Sequence, residues 1–168
     1  MKTVNLQFLI TQPATSVYEV IADFPAYETF ADAVRKVELY NVKPGSCESF
    51  WEVKFRDGLL RWHERDAFYP EERRIHFSQT KGDLAIFDGG WHAEPRQDGT
   101  TTLTFHAVLD LGLPQLASLL EPIAVQALRE NIASIVNGLF EGHVQPHPIS
   151  VSSEVVAGAG ADRALSSL

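Results

Sequence analysis

Apolar and polar residues alternate from the start of the chain. Val4, Leu6, Phe8 and Ile10 share one parity, and Thr3, Asn5, Gln7 and Thr11 the other. A period of two with β-branched and aromatic residues predicts a half-buried strand. Gln12 to Ser16 ends it, and Thr15 or Ser16 can cap a short helix carrying Val17, Val20 and Ile21. Asp23-Phe24-Pro25 breaks that helix, because the residue before proline avoids helical backbone angles. A second short helix is expected over residues 26–32.

A run of strands follows at residues 34–42, 47–56, 59–68, 74–80, 85–94 and 101–111. Lys43-Pro44-Gly45-Ser46, Asp57-Gly58, Tyr69-Pro70-Glu71-Glu72, Lys81-Gly82-Asp83 and Gln97-Asp98-Gly99 separate them. Strands joined by such short turns pair antiparallel. The period then becomes helical over residues 114–140. Ala124, Leu128, Ile132, Ile135 and Leu139 line one side; Gln126, Glu130, Asn137 and Glu141 line the other. Pro122 should kink this helix or restart it, and Gly142 should stop it. Residues 143–168 are rich in serine, alanine and glycine and read as a flexible tail, with a docking peptide as the alternative. The expected fold is α+β: a curved antiparallel sheet of about seven strands around a long C-terminal helix, with two short helices after the first strand. One domain spans 1–142. A single helix cannot fill the concave side of such a sheet, so an apolar pocket is expected between them.

Composition narrows the functional classes. A chain of 168 residues with 45% hydrophobic content suits one domain with a substantial core. A formal net charge of −8 disfavours nucleic acid as a partner. No apolar run is long enough to span a bilayer, and no secretory signal opens the sequence. Cys47 is the single cysteine. A cytoplasmic protein without a disulfide or a cysteine zinc site is the expectation.

Several segments recur in a familiar order. They are Val17 to Tyr27; Trp62-His63-Glu64-Arg65-Asp66 followed by Tyr69 to Arg74; Phe87-Asp88-Gly89-Gly90-Trp91; Asp98-Gly99-Thr100; and Ala127 to Ile132. Together they resemble the START/Bet v 1-like (SRPBCC) superfamily, in its polyketide cyclase/aromatase or COQ10-like branch, over residues 2–142. The resemblance implies a helix-grip fold and a strand that points a tryptophan, a small polar residue and an arginine into the pocket. Trp62, Glu64 and Asp66 stand at those positions, so the arginine is replaced by Asp66. The family's tyrosine and histidine fall near Val34 and Ala107, which cannot move protons.

Trp62, Glu64 and Asp66 share one strand face. If it points inward, two carboxylates about 7 Å apart in a dry cavity raise each other's proton affinity and form a candidate acid/base pair. If it points outward, Arg61, His63 and Arg65 face inward, and the carboxylates are solvated partners of Arg65 and Arg73. Gln79 shares parity with Ile75 and Phe77, and Asn131 borders the helix's apolar stripe. Either amide can hold a ligand carbonyl or bond buried backbone. Tyr27, Phe30, Trp51, Phe55, Phe87 and Trp91 read as cavity wall or core. His76, His92 and His106 alternate with inward residues and should face solvent, and no pair has metal-ligand helical spacing. Gly89-Gly90 reads as a bulge or bend rather than a phosphate loop.

Two functions follow as expectations. One is a cofactor-independent polyketide cyclase or cyclase/dehydratase of secondary metabolism or antibiotic biosynthesis. Asp66 and Glu64 would be catalytic, and Trp62, Gln79, Trp91, Asn131, Tyr27 and Phe87 would bind substrate, with an acyl carrier protein as a partner. The other is a carrier of a quinone-like or other lipophilic molecule. The protein would be a monomer or homodimer.

Overall fold

Every turn expected from the sequence reverses the chain within one continuous sheet. The computed structural model describes residues 1–145 and the backbone of 150–155. Its elements are β1 (Lys2–Ile10), α1 (Ala14–Ala22), α2 (Phe24–Phe30), β2 (Val34–Lys43), β3 (Ser46–Phe55), β4 (Gly58–Tyr69), β5 (Arg74–Gly82), β6 (Ile86–Pro95), β7 (Thr101–Asp110), α3 (Ala117–Leu139) and β8 (Ser150–Val155). All neighbours are antiparallel, in the order β2-β3-β4-β5-β6-β7-β1-β8. Seven strands, two short helices and the long helix are those the patterning predicts. The inner face of the sheet, α1, α2 and α3 enclose one hydrophobic cluster, in which Val4, Ile10, Leu103, Phe105 and Phe140 are almost wholly buried.

Four local expectations are corrected. Neither Thr15 nor Ser16 caps α1: the helix begins at Ala14, behind an extended Pro13 whose carbonyl accepts from the Val17 N–H. The β3–β4 turn is Arg56-Asp57 rather than Asp57-Gly58, because Gly58 already pairs with Phe55. Arg56 takes the left-handed conformation there, with φ 54°. The α3 helix runs through Pro122 instead of restarting at it, and is preceded by a single 3-10 turn over Pro114–Leu116. Gly89 and Gly90 do not form a bulge, since β5–β6 and β6–β7 keep register through both. Their role is close approach: a Cβ on Gly89 would strike the His106 carbonyl, and one on Gly90 the Ile75 carbonyl. The register shifts in this sheet fall elsewhere, including one between His63 and Glu64 where β4 meets β5.

The tail expected over 143–168 contains β8, which pairs with β1 from Lys2↔Val155 to Gln7↔Ser150. Its remainder, 146–149 and 156–168, lies outside the described residues.

Candidate active site

The β3–β4 pairing builds the site. Cys47, Ser49, Trp51 and Val53 stand opposite Asp66, Glu64, Trp62 and Leu60. Burial decides which way this face points: Ser49 is 0% exposed, Glu64 4%, Asp66 1% and Trp62 8%, whereas Arg61 and Arg65 are exposed. The outward alternative is therefore wrong. Arg61 pairs with Glu52 at 3.1 Å, and His63 Nδ1 meets the Tyr40 hydroxyl at 2.6 Å, both on the other face. Trp51 and Trp62 stack across the strands, with ring centroids 6.1 Å apart and planes 7° from parallel.

A chain of buried hydrogen bonds links this ladder. Trp62 Nε1 donates to Glu64 Oε1 at 2.6 Å. Trp51 Nε1 donates to Ser49 Oγ at 2.8 Å, and Ser49 Oγ donates to Asp66 Oδ2 at 2.6 Å. The Cys47 thiol points at the same Asp66 oxygen from 3.6 Å. Asp66 Oδ1 is buried and has no fixed donor. The Glu64 and Asp66 carboxyl groups are within hydrogen-bonding reach of each other. Burial lifts Glu64 well above the usual carboxylate range; the Asp66 hydrogen bond and charge add to the lift, while Trp62 and Ser49 oppose it. Burial, with Asp66 next, pushes the Cys47 thiol up to about 12, so it stays protonated. Tyr27 is also held well above its ordinary value, first by burial and then by the charges of Glu64, Asp66 and Asp23.

Above the ladder lies a cavity of about 80 Å³. Trp51, Trp62, Phe77, Phe87, Trp91 and Phe105 form its aromatic wall, and Ala124, Leu128, Ile132 and Ile135 on α3 its roof. Of the residues expected from sequence, Glu64, Trp62, Trp91, Asn131, Tyr27 and Phe87 line this space. Asp66 does not: it sits deeper, opposite Cys47 and Phe77, and reaches the cavity only through Glu64. Gln79 is not a lining residue either. Its Nε2 donates to the Leu84 carbonyl at 2.8 Å, the backbone role that was its alternative. Asn131 stands at the mouth and donates to the Lys54 carbonyl at 2.7 Å. Beside it, Arg56 meets Glu130 at 3.9 Å across a polar groove that also includes Lys54 and Asp57. Phe30 is not wall or core; it is 61% exposed, because α2 turns Phe24 and Tyr27 inward and ends at Phe30.

His76 and His106 are exposed and His92 is half-buried, all on the outer face as their parity implies. Among the described residues, no three His, Cys, Asp or Glu side chains gather around a common point. Sequence reasoning missed Ser49. Its signal was present: it shares the parity of Cys47 and Trp51, but only the hairpin register places it against Glu64.

A family model described as polyketide cyclase / dehydrase and lipid transport matches residues 10–136. No curated protein sequence matches the chain. Among solved structures, a Thermus thermophilus protein superposes with a TM-score of 0.77 at 23% identity, covering 83% of this chain and 94% of that one. The ZhuI aromatase/cyclase from a Streptomyces species gives 0.75 at 18% identity, covering 83% and 92%. A START superfamily protein from Mycobacterium smegmatis gives 0.70 at 19% identity, covering 84% and 98%. At these identities the likeness establishes the helix-grip fold. No helix among the described residues is long and apolar enough to cross a membrane.

Proposed function

From the premise that this chain belongs to the polyketide cyclase / dehydrase and lipid transport family, we propose that it cyclises and dehydrates a poly-ketone chain in the aromatic cavity, with Glu64 as the catalytic acid. One observation carries this reading: Glu64, the single carboxyl among the described residues that line a largely apolar cavity, is buried there with its proton affinity raised by that burial, and a second buried carboxyl lies behind it. A general acid must hold its proton at working pH and reach the reacting oxygen. Asp66, the other member of the acid/base pair expected from sequence, lies behind Glu64 and takes the part of a positioning residue in this reading.

The proton balance closes over each step. In ring closure, Glu64 gives its proton to the attacked ketone oxygen as the new carbon–carbon bond forms. The enol O–H of the attacking segment returns one proton to the carboxyl pair. In dehydration, Glu64 protonates the departing hydroxyl, water leaves, and a proton from the neighbouring carbon restores the pair. Trp62 fixes the Glu64 carboxyl through its N–H, and the stacked indoles with Phe87 and Trp91 hold a flat chain in one conformation. A cavity of 80 Å³ is smaller than those that enclose multi-ring ligands, so such a chain enters only as the mouth between α3 and the β3–β4 hairpin widens. A chain delivered by an acyl carrier protein would approach from that mouth.

Turnover of a synthetic poly-β-ketone thioester tests the reading. Glu64→Gln should lower kcat at least tenfold with little change in KM. Asp66→Asn should lower it less and displace the pH profile. Unchanged turnover in both variants removes the mechanism. The carrier reading shares the apolar lining but gives no use to the acid pair. Recovery of an unaltered lipid or quinone by native mass spectrometry, with no cyclised product in the assay, would favour it.

A further inference from the structure

We infer that the cavity selects neutral aromatic ligands that donate a hydrogen bond, such as phenols and enols, and rejects ligands carrying a carboxylate on the ring. The inference rests on this cavity being the ligand site, but not on the cyclisation chemistry.

Its ground is the inventory of polar groups in the lining. Among the described residues, no Lys, Arg or His lines the cavity. The two ionisable lining groups are Glu64 and Tyr27, and their environment is made of acids: Asp66 acts on both and Asp23 on Tyr27. A carboxylate placed here would leave water, meet no cation from the described lining residues and face two buried carboxyl groups. Two basic side chains, Lys54 and Arg56, belong to the groove outside the mouth, and Arg56 is partnered by Glu130. Arg129 on α3 is not a lining residue.

The donors are mostly spent as well. Trp51 gives its N–H to Ser49, Trp62 to Glu64, Tyr27 its hydroxyl to the Ile21 carbonyl at 2.7 Å, and Asn131 its Nδ2 to Lys54. Among the described residues, Trp91 is the one lining indole whose N–H has no hydrogen-bond partner. Acceptors remain in surplus: the Tyr27 oxygen, Asn131 Oδ1 and the Glu64 carboxyl. A ligand hydroxyl satisfies an acceptor that a ligand carboxylate leaves unpaired. The same inventory bears on the reaction. No fixed cation or cluster of free N–H groups awaits a developing enolate, so rate enhancement must come from protonating oxygen rather than from stabilising an oxyanion.

Three single-ring probes of one shape separate these effects: 4-ethylphenol, ethylbenzene and the 4-ethylbenzoate anion, titrated by NMR at neutral pH into the whole protein. The phenol should bind roughly tenfold or more tighter than the benzoate, since each tenfold is about 1.4 kcal/mol and an unpaired charge leaving water costs more than that. Ethylbenzene should fall between them. Glu64→Gln should narrow the phenol–benzoate gap while leaving ethylbenzene unchanged. Benzoate binding as tight as the phenol overturns the inference. Binding of none of the three overturns it together with the cavity as ligand site. A phenol preference without any cyclisation activity upholds the inference and removes the catalytic reading alone.

Discussion

Glu64 stores a proton that the unfolded chain would release, and this ties stability to pH. Its folded value is raised, first by burial and then by Asp66. The group's contribution is therefore complete below the ordinary carboxylate value of about 4.3 and is lost as pH rises toward the folded value. Glu64→Gln removes the titration but keeps a neutral hydrogen-bonding group. Urea midpoints of the variant should fall less steeply than those of the parent as pH rises above about 5; parallel curves would refute the assignment. Cys47 gives a second test at this scale. Buried and held near pH 12, its thiol should resist iodoacetamide in the folded protein at mildly alkaline pH and react once urea unfolds it. Rapid native labelling would contradict the geometry. The inward face of Trp62, Glu64 and Asp66 was one of two readings that parity allowed. The depth of Asp66 was not legible, because parity assigns a face and says nothing of which side chain lies above another. Ser49 was hidden for a related reason: its meaning depends on a cross-strand neighbour fifteen residues away in sequence.

The elements were legible where their periods are long, and shifted where one special residue decides. The alternation in β1 and β7 predicts burial that the structure reproduces at every second residue, whereas the α3 stripe is buried at Ala124, Ile132 and Ile135, only half-buried at Leu128 and Leu139, and joined by buried Glu121, Val125, Ala127 and Val136. The hairpin at Arg56-Asp57 moved by one position because the Trp51↔Trp62 pairing fixes the register, and the turn accommodates it with a left-handed arginine. The glycines of β6 and α3 mark where backbones nearly touch. A Cβ at Gly89 would meet the His106 carbonyl and the Ala107 backbone, and one at Gly138 would meet the carbonyl of Phe30 at the end of α2. Gly138→Ala should lower stability by about 1–3 kcal/mol in chemical denaturation, as overpacking does, by prising α3 from α2. An unchanged midpoint would mean that this contact is not tight.

For the whole molecule, the helix-grip architecture followed from the order of patterned segments. The extra strand β8 did not, because its short serine-rich sequence lacks the apolar alternation that marks the other strands. Enclosure depends on how α3 is fastened over the sheet. The Asn131–Lys54 bond and the Arg56–Glu130 pair tie it to the β3–β4 hairpin at the mouth. Asn131→Ala should therefore speed the association of an apolar ring compound several-fold, read by stopped-flow mixing, with a smaller change in equilibrium affinity; identical rates would place the entrance elsewhere. The bond from Trp62 to Glu64 has an optical consequence too. A neutral carboxyl group quenches the emission of an indole it touches, and the stacked Trp51 can pass its excitation to that same quenched ring. Light emitted by this pair should brighten whenever Glu64 surrenders its proton, so the protein carries its own lamp for watching the acid work.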